Sequence, residues 1–270
     1  MWDLPFDFSA NISIMFTELP YLERPAAARA AGFDLVESWW PYDGPVAPEP
    51  EVDALVEALD RSDVRLSALN VYAGDIAAGE RGLACRPDRQ ADLALATDHL
   101  VGVAERTGCR MFNLLYGQLD SRWEESEQHE TALAAIRSTA ERVASIGGTV
   151  LLEPLTRGLN GRYPLADGDD VVRLLDGPLA GATNVRLLFD LFHLGSNGVD
   201  LVEAAHRLLP WIGHVQFADR PGRGEPGTGT LPIEATLRAL SDAGYRGPVA
   251  AEYVPTRPTA ETLDWLPRPV

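Results

Sequence analysis

The chain has 270 residues, 46% of them hydrophobic, and carries 40 acidic against 23 basic side chains for a formal charge of −17. That size and composition fit one large globular unit with a real core, and so acidic a surface repels phosphate backbones, which argues against nucleic acid as a partner. With only two cysteines, Cys85 and Cys109, no charged start leading into an apolar run, and no stretch near about 18 apolar residues, the expectation is a cytoplasmic protein that does not engage membranes.

Strand-like and helix-like segments alternate from end to end. FDFSANISIMF (6–16) reads as a first strand, and LERPAAARAAG (22–32) as a helix closed by Gly32. FDLVESWW (33–40) is a second strand, followed by EVDALVEALDRS (51–62), whose apolar positions recur at helical spacing. VRLSALNVY (64–72) is a third strand, and DRQADLALATDHLVGVAERTG (88–108) a long helix ending at Gly108. RMFNLLYG (110–117) and the helix EESEQHETALAAIRSTAERVASIG (124–147) complete the first half.

The second half repeats the pattern. Strands TVLLEPL (149–155), VRLLFDLFH (185–193), GHVQFAD (213–219) and GPVAAEY (247–253) alternate with helices over 167–177, 200–211 and 232–244, and TAETLDWL (259–266) closes the series. Eight strand–helix units in a chain of this length predict a single-domain (β/α)8 TIM barrel over 1–270, in the α/β class. A doubly wound open sheet is the rival, but it calls for a Gly-rich phosphate fingerprint after an early strand, and the sequence has none.

A parallel strand is buried on both faces, so a charge within it must be paired or metal-bound. Glu153, Asp190, Gln216 and Glu252 close the fifth to eighth apolar runs, and Glu37 closes the second. One such residue alone is better explained by a hydrogen bond to a nearby loop. Four on consecutive strands converge on one spot, because all strands of a parallel barrel end at the same face. Three carboxylates and an amide are oxygen donors, which suit one divalent cation, Mg²⁺ or Mn²⁺, better than a structural zinc.

Other polar positions are read against plainer roles. His193, three residues after Asp190, is either satisfied by loop backbone or donates to a substrate at the barrel mouth. His214 shares the side of its strand that carries Gln216, one layer deeper, and is expected to support it. DRPGRGEPGTG (219–229) is oversized for a turn, and its Arg223 can fork onto a carboxylate. AGDIAAGERGLACRP (73–87) is either a rim loop or a lid, with Glu80 and Arg81 a potential surface pair. Of Trp39 and Trp40, one is expected in the core and the other against the site.

Taken together, SANISIMFTELP, GFDLVESWWPYD, AGDIAAGERGLACRP, LLEPLTR, FDLFH, GHVQFADRPGRGEPGTG and AAEYVP resemble the hydroxypyruvate isomerase family of the xylose isomerase-like TIM barrels. The resemblance implies that Glu153, Asp190, Gln216 and Glu252 ligate the metal, and that Glu153 and Glu252 also exchange protons with the substrate. It implies substrate contacts from His193 and Arg223, with Glu37 as a further substrate-binding candidate. The expected substrate is a small keto acid or sugar: hydroxypyruvate, or a ketose or oxo-tetronate under the epimerase and sugar-acid isomerase alternatives. The sequence leaves open whether the chain forms a homo-oligomer. Three positions depart from its pattern: Gln118 replaces a lysine, Thr230 follows GTG in place of an acidic residue, and PLTRGLNGRYP lacks the acid expected after Glu153.

Overall fold

The computed structural model describes residues 2–267, so Met1 and Arg268–Val270 of the expected domain lie outside it. Eight parallel strands close into a barrel in sequence order: β1 (Phe8–Asn11), β2 (Leu35–Ser38), β3 (Arg65–Asn70), β4 (Met111–Asn113), β5 (Thr149–Leu152), β6 (Val185–Asp190), β7 (Ile212–Phe217) and β8 (Val249–Ala251). The ring is completed by the pairing of Phe8–Ala10 with Val249–Ala251. The helices between the strands are α1 (Arg24–Ala30), α2 (Glu49–Ser62), α3 (Gln90–Thr107), α4 (Glu125–Ala144), α5 (Gly168–Asp176), α6 (Leu191–Ser196), α7 (Leu201–Leu208) and α8 (Ile233–Ala243). The helical termini follow local chemistry. Asp167 and Asp170 form a reciprocal capping box on α5, and Gly108 ends α3 at a positive φ.

The first strand is shorter than its apolar run suggests, because the chain leaves the sheet after Asn11. The larger difference lies at the C-terminus. Among the described residues no full helix follows β8; the segment forms only a 3₁₀ turn at Thr259–Thr262 between two prolines, Pro258 and Pro267. Aromatic packing takes the place of that helix. Trp265 lies 5.3 Å from Phe8 and 5.0 Å from Phe217, and Trp2 stacks on it at 5.2 Å. The Trp2 amide also donates to the Trp265 carbonyl. Trp2 and Trp265 thus cover the outside of β1 and β7 with large rings, whose edge-to-face contacts add to the area they bury.

Side chains alternate along each strand. Phe8, Ala10, Val215 and Phe217 face the helical layer, while Asn11, His214 and Gln216 meet other polar groups within the barrel. This alternation brings the polar strand ends together at the C-terminal mouth.

Candidate active site

Asp190 ends β6 and is also the N-cap of α6. Its Oδ1 accepts from the amides of Phe192 (2.6 Å) and His193 (3.2 Å). One oxygen is thereby spent on the helix start, and Oδ2 is left for the centre of the mouth. Gln216 lies beside Asp190 in the β6–β7 register. Glu153 follows β5 by one residue and Glu252 follows β8 by one.

Each of these groups is held by neighbours. Glu252 is 4% exposed and accepts from Trp39 Nε1 (2.6 Å), Asn11 Nδ2 (2.9 Å) and Arg223 Nη2 (2.6 Å). Glu153 accepts from a single side-chain amide, Asn113 Nδ2, at 2.7 Å. Arg223 Nη2 also lies 3.7 Å from Asp190 Oδ2, so the guanidinium sits between two acids. Arg223 has a φ of +57, a left-handed conformation that a bulky residue adopts at a cost. Asp219 stabilises that loop, accepting the amides of Arg220, Gly227, Gly229 and Leu231. Gly229 is required there, because a Cβ would lie 2.0 Å from the Arg220 carbonyl oxygen.

Glu37 is not in the cavity wall. It is 1% exposed, and its carboxylate receives Asn11 Nδ2 (3.0 Å), His214 Nε2 (2.8 Å) and Gln216 Nε2 (2.6 Å). The direct substrate contact expected of it is replaced by a supporting position, since both oxygens are already engaged. The consequence for Gln216 is specific. A carboxylate demands a donor, so the amide nitrogen faces Glu37 and Oε1 faces away. That Oε1 is buried with no protein partner.

A buried amide oxygen without a protein partner, beside a cluster of buried acids, is an arrangement that a cation could complete. The donor chemistry agrees: oxygen atoms from Glu153, Asp190, Gln216 and Glu252 suit a hard divalent ion. Ligand atoms of Glu153, Asp190 and His193 lie within 4.8 Å of one another, and this triad could also hold a metal. The tautomer of His193 argues for a different part. Its Nδ1 receives the Thr156 amide at 3.0 Å, so a neutral ring carries its proton on Nε2. Burial first, then the charges of Arg223 and Arg81, keep the imidazole well below its ordinary pKa and hence neutral. The Nε2–H, 3.6 Å from Glu153 and 3.8 Å from Asp190, is then a donor rather than a ligand.

Above this centre opens a cavity of about 430 Å³, walled by Trp39, Trp40, Tyr42, Tyr72, Ile76, Arg81, Leu115, Leu155, Asn160 and the polar groups already described. Both tryptophans reach it, where only one was expected. Sequence reading also passed over Asn11, Asn113 and Asn160. The first two are polar residues at strand ends, as the acids are, and could have been found by the same rule. Gln118, outside the cavity wall, donates to the Asn160 carbonyl and clasps the loop 156–166.

The acids repel one another. Burial, then the charges of Glu252 and Asp190, raise Glu153 well above the carboxylate range. Burial also raises Glu252, to about 7, against the opposing charge of Arg223. A pKa raised by folding gives stability that is present below the ordinary carboxylate range and lost as pH rises through about 7. His193, neutral in the fold, pulls the other way only below its ordinary value near 6.5. As pH rises toward about 7 the metal-free protein should therefore lose stability, and a divalent cation should raise its melting temperature more at the upper end of that range. Calorimetric titration should show protons leaving as the cation binds; a pH-independent affinity would contradict this.

A parallel barrel with a buried, acid-rich and metal-capable mouth is the class that fold and site define. The chain belongs to the xylose isomerase-like TIM barrel family, whose family model matches residues 25–268, and within it to the hydroxypyruvate isomerase family of isomerases. It is 41% identical to a Streptomyces coelicolor protein provisionally named as a hydroxypyruvate isomerase, over 96% of this chain and 95% of the relative. It is 30% identical to a Haemophilus influenzae 2-oxo-tetronate isomerase, over 96% and 97% respectively. A solved structure from Brucella melitensis, described as an AP endonuclease of family 2, superposes with a TM-score of 0.86 at 31% identity, covering 96% of this chain and 97% of that one. Among the described residues no helix is long and apolar enough to cross a membrane.

Proposed function

We propose that the protein is a metal-dependent isomerase interconverting hydroxypyruvate and tartronate semialdehyde. The observation that carries this reading is a pair of buried glutamates in unequal surroundings at one metal-capable centre. Glu252 has three side-chain donors and Glu153 has one. Unequal environments separate the proton affinities of two carboxyls, which is what acid–base work on adjacent carbons requires.

Glu153, Asp190, Gln216 and Glu252 would hold the cation, Mg²⁺ or Mn²⁺. Bound there, it supplies Lewis-acid stabilisation of negative charge on the substrate oxygens. Glu252, whose three donors favour its ionised form, takes a proton from the hydroxyl-bearing carbon. Glu153 delivers one to the neighbouring carbon of the enediolate, the former carbonyl carbon, while the hydroxyl proton passes from one substrate oxygen to the other, and the roles reverse in the other direction. His193 Nε2–H donates to a substrate oxygen. Arg223 holds Glu252 in place by its short ion pair, and Trp39 fixes the same carboxylate while walling out water.

A 2-oxo-tetronate isomerase or ketose 3-epimerase is the second reading, supported by a cavity of about 430 Å³ that is generous for a seven-heavy-atom acid. Endonuclease chemistry fits poorly with a formal charge of −17. The test is turnover of hydroxypyruvate, 2-oxo-tetronate and neutral ketoses with Mg²⁺ and Mn²⁺. The highest kcat/KM is expected on hydroxypyruvate. A four-carbon acid in first place would move the assignment to the second reading, and a ketose in first place would make the protein an epimerase.

A further inference from the structure

The cavity wall contains two arginines, and they differ in one respect. Arg223 is neutralised by Glu252 and Asp190. Arg81 has no carboxylate within 4.0 Å among the described residues, although it also lines the cavity with Glu153, His193 and Glu252. Its sequence neighbour Glu80 is engaged elsewhere, at 3.0 Å from Arg89 and 3.6 Å from Arg86. The surface pair considered from the sequence therefore does not form.

Arg81 is nonetheless held in place. Its Nε donates to Asn160 Oδ1 at 3.2 Å, and Nη1 donates to the carbonyls of Ile76 (3.0 Å) and Glu80 (2.7 Å). Nη2 has no protein acceptor among the described residues. The loop itself is pinned to the end of β4. The Cys85 amide donates to the Tyr116 carbonyl, and a Cβ on Gly82 would lie 2.2 Å from the Leu115 carbonyl oxygen. A fixed guanidinium with a free N–H edge and no counter-ion, in a cavity whose other cation is already paired, is built for an anion supplied by the ligand.

We propose that Arg81, rather than Arg223, receives the carboxylate of the substrate and so sets the preference for 2-oxo acids over neutral sugars. This deepens the isomerase reading and rests on it for the identity of the substrate. It gives the loop 73–87 a binding role and orients the acid end of the substrate toward the outer wall, with the reacting carbons at the glutamates.

The test uses binding, which is separable from turnover. Pyruvate and its neutral amide, pyruvamide, are similar in size and lack the adjacent hydroxyl needed for isomerisation. Dissociation constants for both are measured by calorimetry on Mg²⁺-loaded wild type, Arg81→Gln and Arg81→Lys, each checked for an unchanged melting temperature. Wild type should prefer pyruvate. Arg81→Gln should weaken pyruvate by about tenfold and leave pyruvamide within about twofold, with Arg81→Lys between. An undiminished preference in Arg81→Gln, or equal weakening of both ligands as expected of a loop staple, would overturn the proposal. If wild type fails to turn over hydroxypyruvate yet loses its acid preference only in Arg81→Gln, the isomerase reading falls and Arg81 stands as an acid-binding residue.

Discussion

Glu153→Gln and Glu252→Gln should each lower kcat on hydroxypyruvate by roughly 10²–10⁴-fold, the range for loss of a positioned acid or base. An amide keeps an oxygen for coordination but can neither accept nor deliver the proton. Folding should survive the change. Glu153 is a buried carboxyl crowded by Glu252 and Asp190, and its raised pKa marks an environment that prefers a neutral group. The metal-free Glu153→Gln protein should accordingly melt no lower than wild type. Glu252→Gln loses its short ion pair with Arg223, so a modest drop is expected there. Near-normal turnover in either variant would remove that residue from the proton path.

The second large effect concerns Asp190. Asp190→Asn keeps an oxygen able to cap α6 through the Phe192 and His193 amides, but withdraws a negative charge from the centre. Changing groups that only support a metal ligand costs about 10–100-fold in affinity, so losing a charged ligand should cost at least that. Mn²⁺ affinity, read by electron paramagnetic resonance on stripped protein, should fall by roughly 10²-fold with the melting temperature of the metal-free protein little changed. Asp190→Ala adds the loss of the cap, about 1 kcal/mol. An unaltered Mn²⁺ affinity would show that the cation binds elsewhere.

Much of this architecture can be read from the chain, for a physical reason. Buried parallel strands tolerate charge only where it is paired, so Glu153, Asp190, Gln216 and Glu252 stand out against apolar neighbours. Barrel geometry then dictates that such strand ends converge. The same logic extends to Asn11 and Asn113, but a neutral amide at a strand end is a quieter signal than a carboxylate. Glu37 carries the loud signal without facing the cavity. Its part as the anchor of Gln216 depends on which side-chain oxygens are already engaged, and no spacing in a sequence reveals that. The absent last helix has a similar cause: TAETLDWL has helical spacing, but Pro258 and Pro267 bound it, and Trp265 is drawn onto Trp2, Phe8 and Phe217. From the sequence, Arg223 reads as a carboxylate fork and Arg81 only as a surface partner of Glu80. Only the ion pairs of the folded chain separate the neutralised guanidinium from the one without a counter-ion.

The most direct measurement is proton NMR of hydroxypyruvate incubated in D₂O with chelator-stripped protein, before and after Mg²⁺ or Mn²⁺ is restored. If glutamates shuttle protons between adjacent carbons, tartronate semialdehyde should appear only in the reloaded sample, with solvent deuterium entering at the carbons that exchange. Product formation by the stripped protein, or no product and no deuterium exchange with either metal, would contradict the account.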